Sequence, residues 1–292
     1  MADLPRADLV RYTRNGPIAS LTIDHPPVNV LTADVLDAIV AGLDRAEADP
    51  EARVVILRSA APKAFAAGAD IRAMAPMGPE EARRHGGRGQ ATTVAIEDLP
   101  LPVIAAVHGS CLGGGTELAL ACDFVLASDD AVFGQPEINL GVMPGWGGTQ
   151  RLPRRIGPVL ARRWIMTGRP VPAPVAFEQG FVDQVVPRAA LDGAAHELAA
   201  ELATKSATGL AAAKAALRHA IDPGRDAALA VELDLWARLF GTPDQQAGMT
   251  AFLAKGSWTP EDRSAWATRS SGFPWADRAR PRPGAKGKNG SA

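Results

Sequence analysis

Apolar positions along this chain recur with two different periods, and the alternation between them sets the expected architecture. Leu9–Arg14 and Ile18–Asp24 carry the short pattern of strands, with Asn15-Gly16 as a turn signal between them. His25-Pro26-Pro27 then breaks the pattern. Leu36, Ile39, Val40 and Leu43 follow the i, i+3, i+4, i+7 spacing of an amphipathic helix, and Thr32 is placed to cap it. Short apolar runs return at Val54–Leu57, Val103–Val107, Phe124–Leu126, Val132–Phe133 and Val185–Val186, with helical patterns interspersed. That order predicts an α/β fold of repeated β-β-α units rather than a sandwich. From about Leu191 the pattern turns helical throughout, over Ala194–Leu202, Leu210–Leu217, Ala227–Phe240 and Gln245–Leu253. The chain thus divides into a core over 1–190, a helical region over 191–268 and a tail over 269–292.

Two stretches fit neither period. Within Pro76 to Glu97 a helical start, Glu80-Glu81-Ala82-Arg83-Arg84-His85, runs into Gly86, Gly87 and Gly89, so an interrupted, mobile helix is expected there. The end of the tail carries Arg278, Arg280, Arg282, Lys286 and Lys288 among Pro and Gly without an acid, a composition that cannot build a core and reads as disordered.

The glycine-rich segment Leu112-Gly113-Gly114-Gly115-Thr116-Glu117 follows the buried strand Val103–Val107 and precedes the apolar run Thr116–Cys122, which reads as a helix. A strand-to-helix junction of this kind presents N–H groups with no intrahelical acceptor, at the positive end of a helix dipole. Without Cβ atoms, its glycines also let a ligand touch the backbone. Glu117 lies about one turn into that helix, and Glu137 follows Gln135-Pro136 twenty positions later. A second small-residue turn occurs upstream in Lys63-Ala64-Phe65-Ala66-Ala67-Gly68-Ala69-Asp70-Ile71. Two turns, each aiming one N–H at the same oxygen, meet the requirement of an oxyanion hole, and paired carboxylates beside them suit acid/base work on a carbonyl compound.

Composition narrows the classes. With 292 residues, 47% of them apolar, the chain has material for a large core. Lys+Arg of 31 against Asp+Glu of 32 leaves a net charge of −1, so no global field favours nucleic acid or an anionic membrane. The N-terminal Met-Ala-Asp-Leu-Pro-Arg-Ala-Asp has no basic segment leading into an apolar one, and no apolar stretch reaches the ~18 residues of a membrane span, so a cytoplasmic location is expected. Cys111 and Cys122 are too few for a disulfide framework and are expected as reduced core thiols. The five histidines show no metal spacing, and no metal is expected. Ser110 beside His108 lacks a Gly-x-Ser-x-Gly elbow, and Gly145-Trp146-Gly147-Gly148 is not a dinucleotide fingerprint.

The motifs Phe65-Ala66-Ala67-Gly68-Ala69-Asp70-Ile71, Gly113-Gly114-Gly115-Thr116-Glu117-Leu118-Ala119, Gln135-Pro136-Glu137 and Pro144-Gly145-Trp146-Gly147-Gly148-Thr149-Gln150-Arg151, in this order, resemble the enoyl-CoA hydratase/isomerase (crotonase) family over roughly Leu9 to Lys255. The resemblance implies a spiral of β-β-α turns followed by a helical region used for trimer formation, often as a dimer of trimers. It places oxyanion-hole donors on Ala69 and Gly114 and the two hydratase glutamates on Glu117 and Glu137. It sets Ala67, Gly68, Asp70 and Ile71 around coenzyme A, gives Lys63 a phosphate to meet, and puts Gly145 at the catalytic water and the region 76–97 at the acyl end of the pocket. Trp146 is then either a wall of that pocket or a core residue. Retention of both glutamates argues for hydration of a 2-enoyl-CoA, with Glu117 as base toward water and Glu137 as proton donor, or the reverse. No cofactor is needed beyond the coenzyme A of the substrate. A double-bond isomerase or specialised lyase is the alternative chemistry; RNA binding, reported for some relatives, is the alternative class, with only Trp266, Phe273 and Trp275 near the basic tail to support it.

Overall fold

A computed structural model describes residues 9–219, 225–240 and 242–253. The hairpin expected at the start is present as β1 (Val10–Asn15) and β2 (Ile18–Ile23), paired antiparallel from Val10↔Ile23 to Asn15↔Ile18. Helix α1 (Ala33–Ala48) follows, and Thr32 caps it by accepting the Val35 N–H. Strands β3 (Val54–Ser59), β5 (Val103–Val107), β7 (Phe124–Ser128) and β10 (Gln184–Val186) complete a six-stranded sheet in the order β1-β2-β3-β5-β7-β10, parallel beyond the hairpin.

Alternation along these strands gives the sheet two buried faces. Leu21, Val55, Leu57, Val103, Ala105 and Val125 point into the main core, where α1 also lies. Ile18, Val54, Ile56, Ile104, Ala106 and Leu126 point the other way, onto Leu191, Ala195 and Ala199 of α7 (Leu191–Ala203). The helical region therefore begins by covering the sheet.

A second, four-stranded sheet, β4-β6-β8-β9, is made of the short β4 (Ala64–Ala66), β6 (Ser110–Leu112), β8 (Val132–Gly134) and β9 (Val171–Pro172). After the hairpin, the steps β3-β4, β5-β6 and β7-β8 each contribute one strand to each sheet. Between them run α2 (Ile71–Met74), α3 (Pro79–Asp98), α4 (Gly114–Ala121), α5 (Gly148–Thr167) and α6 (Ala173–Glu178). Three further helices, α8 (Ala207–His219), α9 (Arg225–Leu239) and α10 (Pro243–Leu253), end the described chain; the tail over 269–292 and Trp266, Phe273 and Trp275 lie outside it. The order of elements agrees with the repeated β-β-α units expected from the sequence. Cys111 and Cys122 are buried and free, as expected.

The interruption expected within 76–97 is absent. Pro79–Asp98 is one twenty-residue helix through Gly86, Gly87 and Gly89. Pro79 occupies the first turn, where it costs no hydrogen bond, and Glu81 accepts the Gly78 N–H to form the start. Each glycine penalises a helix by about 1 kcal/mol, but Gly89, Thr92, Thr93, Ala95 and Ile96 are buried, and tertiary packing outweighs propensity here.

Candidate active site

The two small-residue turns meet at the C-terminal end of the second sheet. β4 and β6 run parallel, so the chain leaving β4 through Ala67, Gly68 and Ala69 lies beside the chain leaving β6 through Gly113 and Gly114. A Cβ built on Gly68 would lie 3.0 Å from the Leu112 carbonyl and 3.6 Å from the Gly114 nitrogen, which measures how closely the backbones approach. Gly113 has φ +54°, a conformation that a side chain would strain, and α4 begins at the next residue. Gly114 is thus the first helical residue, and its N–H has no intrahelical acceptor. Leu31 bridges in parallel to Ala69 by donating its N–H to the Gly68 carbonyl at 2.8 Å, so the Ala69 N–H faces away from Leu31.

A residue that sequence reasoning passed over holds the first turn in place. Asn29, fully buried with φ +52°, donates to Ser59 Oγ at 2.7 Å and to the Phe65 carbonyl at 2.9 Å, and accepts the His25 N–H at 2.8 Å. Val28 beside it accepts the Ala67 N–H at 3.0 Å. The His25-Pro26-Pro27 segment thereby becomes part of the support of this turn. Asp70 ends it by capping the short α2, accepting from Arg72 and Ala73 N–H groups, while Ile71 is exposed. Lys63 stands apart from these candidates: it is exposed at the opposite end of β4, and its carbonyl accepts the Ser110 N–H.

Both glutamates come to this junction. Glu117 lies in the first turn of α4 and is only 2% exposed. Its Oε1 accepts N–H groups from Trp146 and Gly148, both at 2.7 Å. Burial pushes its carboxyl above the ordinary range, against the pull of those two amides and of Arg151. Glu137 enters from a 3₁₀ turn (Pro136–Leu140), and a Cβ on Gly113 would lie 3.2 Å from its Oε1. Its carboxyl is raised to about 7, first by burial and then by the charge of Glu117. Gln135 is fully buried, and with its amide assigned so that the nitrogen rather than the oxygen faces Glu137, as the surrounding donors and acceptors require, it donates to both carboxylate oxygens of Glu137, at 2.9 and 3.2 Å.

The loop that grips Glu117 is itself held against α3. Arg151 forms a two-point pair with Glu97 and donates to the Trp146 carbonyl at 2.8 Å. Thr93 donates to the same carbonyl at 3.0 Å, and Gln90 donates to the Gly145 carbonyl at 2.9 Å. The Trp146 indole is 3% exposed and fills the space between Gly89 of α3 and Gly114 of α4. It is a core residue, as one of the two readings from sequence had it, and its ring also packs on the turn at Gly114. Gly145 is exposed, and no atom lies within 4 Å of where its Cβ would be.

The raised Glu137 carboxyl has a consequence for stability. A carboxyl with its folded pKa above its unfolded value contributes stability fully present below the unfolded pKa and lost as pH rises through the folded one. Between about pH 4.5 and 7, the wild type should therefore lose stability relative to Glu137→Gln. Thermal unfolding of both proteins across that window checks this; a melting-temperature difference that does not change with pH would contradict it.

The fold and its motifs have counterparts in known proteins. A sequence profile of the enoyl-CoA hydratase/isomerase family matches residues 13–262. The crotonyl-CoA hydratase of Syntrophomonas wolfei is 40% identical over 239 residues, covering 82% of this chain and 92% of that protein. The short-chain-enoyl-CoA hydratase of Clostridium acetobutylicum is 39% identical over 243 residues, covering 83% of this chain and 93% of its own length. The crystal structure of an enoyl-CoA hydratase from Bacillus anthracis superposes with a TM-score of 0.82 at 35% identity, covering 86% of this chain and 98% of that one. With a family match over most of its length, and with relatives aligned nearly end to end, the chain belongs to the enoyl-CoA hydratase/isomerase family.

Proposed function

We propose that the protein hydrates 2-enoyl-CoA thioesters, with the thioester oxygen held by the N–H groups of Ala69 and Gly114. The observation that carries this reading is the convergence of two carboxylates, the buried Glu117 and the half-buried Glu137, on the junction where those two backbone segments meet. Negative charge grows on the thioester oxygen as water adds to the β-carbon, so donors aimed there bind the transition state more tightly than the ground state. Glu117, its Oε1 gripped by two amides that favour the charged form, acts as base toward the water. Glu137, with a carboxyl that holds its proton up to about pH 7, delivers that proton to the α-carbon. Gln135 keeps the Glu137 carboxyl oriented for this transfer. Ala67, Gly68, Asp70 and Ile71 frame the coenzyme A portion, and no other cofactor is required.

Hydration removes the double bond conjugated to the thioester, so crotonyl-CoA absorbance should fall when the protein is added. Unchanged absorbance alongside a salt-sensitive shift of RNA would favour the binding-protein alternative.

The proposal extends to a cytoplasmic enzyme of fatty acyl-CoA metabolism that assembles as a trimer or a dimer of trimers. Leu229, Leu233, Trp236 and Phe240 form an exposed stripe along and just after α9, at the spacing of one helix face. Apolar surface of that kind is usually covered by another subunit. Light scattering should give three or six times the chain mass of 30.5 kDa. A monomer that still hydrates crotonyl-CoA would refute the assembly without touching the chemistry.

A further inference from the structure

Glu117 is held through backbone N–H groups, and three consecutive peptides of the loop that supplies them are each fixed from the far side. The peptide that gives the Trp146 N–H to Glu117 Oε1 offers its other end, the Gly145 carbonyl, to Gln90 of α3 at 2.9 Å. The peptide that gives the Gly148 N–H offers the Gly147 carbonyl to the backbone N–H of Arg151 at 2.8 Å. Between them, the Trp146 carbonyl accepts from Arg151 Nη1 at 2.8 Å and from Thr93 of α3 at 3.0 Å. Arg151 therefore holds two of the three peptides, one by its side chain and one by its backbone.

The guanidinium is itself anchored. Its Nε and Nη2 meet the two carboxylate oxygens of Glu97 on α3 at 2.7 and 2.5 Å, a planar two-point pair that fixes direction as well as distance. Gly147, at φ +108°, leaves it room, because a Cβ there would collide with the guanidinium. The pair stands on the wall of an open cleft of about 730 Å³ between α3, α4, α5 and the end of α8, with the Arg151 side chain 14% and that of Glu97 26% exposed. Of the other charges on that wall, Asp98 pairs with Arg218 and Arg155 with Asp183, while Arg154 lies beside them. Arg151 is the cation that draws the Glu117 carboxyl down against burial; Glu137 is the anion across the junction. The His85 ring, 5.7 Å from that of Trp146, is held below its usual pKa by burial and adds no charge near neutrality.

We infer that Arg151, clamped by Glu97, is a positioning residue for the reaction: it fixes the Trp146–Gly148 loop so that both amides stay on Glu117 Oε1 and leave the second carboxylate oxygen to the water. This rests on the hydratase reading given above. Hydrogen bonds weaken steeply with misalignment, so a loop released from its clamp would lose one or both of these contacts. Glu117 would then lose orientation and the groups that favour its charged form together.

The test measures hydration of crotonyl-CoA across pH, and thioester binding separately, for wild type, Arg151→Met and Arg151→Lys. Because the cleft is open, the Glu97 carboxylate left behind in Arg151→Met is met by water, and the protein should fold. Its kcat should fall by roughly 10²-fold with thioester binding near that of wild type. Its acidic limb of kcat/KM should also move to higher pH, because a carboxylate that has lost a neighbouring cation takes up its proton more readily. Glu117 and Glu137 titrate as a pair, so the position of the limb is the readout rather than a value for either residue. Arg151→Lys keeps the charge but cannot bond Glu97 twice and the carbonyl at once, so it should return the limb toward that of wild type while restoring only part of the rate. A folded Arg151→Met protein with the kcat and limb of wild type, or with a loss confined to thioester binding, would overturn the inference and restrict the pair to the fold. A lysine protein as fast as wild type would also overturn it, and that comparison stands even if the methionine protein does not fold. Wild type that leaves crotonyl-CoA unchanged would instead overturn the hydratase reading itself.

Discussion

Glu117→Gln and Glu137→Gln should each lower turnover of an accepted enoyl-CoA by about 10²–10⁴-fold while the protein still folds and binds coenzyme A thioesters. Glutamine at 117 keeps a carbonyl oxygen for the Trp146 and Gly148 N–H groups that now meet Glu117 Oε1, so the loop need not move. What it loses is the ability to take a proton from water. Glutamine at 137 still offers one acceptor to Gln135, but it has no proton to deliver from a carboxyl poised near 7. Because the two groups act on one water and one carbon, the double variant should be little slower than the slower single one. Initial rates with crotonyl-CoA and a separate measurement of thioester binding check this. Near wild-type turnover in either single variant would show that the assignment is wrong.

The other large effect is expected at Trp146. Its indole occupies the slot between α3 and α4, where a Cβ on Gly89 or Gly114 would come within 2.2 or 2.3 Å of ring atoms. Both glycines are there because the ring is. Trp146→Ala leaves a cavity lined by parts of the chain that cannot close it, and should destabilise the protein by about 3–5 kcal/mol. For a chain of this size that corresponds to a melting temperature lower by roughly 6–20 °C. The same ring touches the turn proposed to hold the thioester, so the variant should also admit bulkier acyl groups, an effect of roughly 1–3 kcal/mol in relative kcat/KM. Thermal unfolding and the kcat/KM ratio for a short and a longer enoyl-CoA separate the two. A full loss of stability with an unchanged ratio would confine Trp146 to the core, and an unchanged melting temperature would contradict its place there.

The local content of the sequence determined most of the architecture. Strand and helix periods located β1 to β3, β5, β7, β8, β10, α1, α4 and the helices after Leu191, because each is encoded by neighbours two to four positions apart, whereas the three-residue β4 and β6, the two-residue β9 and the helix α5 carried no such reading. Glycines at 68 and 113–115 marked the turns because only they tolerate that backbone and that close approach. The motifs around Ala69, Gly114, Glu117 and Glu137 named the candidate site, and the structure brings all four to one junction. What the tertiary structure alone decided involves partners far apart in the chain. The helix through Gly86, Gly87 and Gly89 persists because burial against the rest of the molecule outweighs propensity, a sum over contacts that no local window contains. Asn29 bonds to residues 30 and 36 positions away, and Glu117 to residues 29 and 31 positions away. Gln135 and Glu137 are close in sequence, but whether an amide next to a carboxylate faces it or solvent is settled by what buries them. Periodicity specifies which face of an element is apolar; only packing specifies which distant polar atom meets it there.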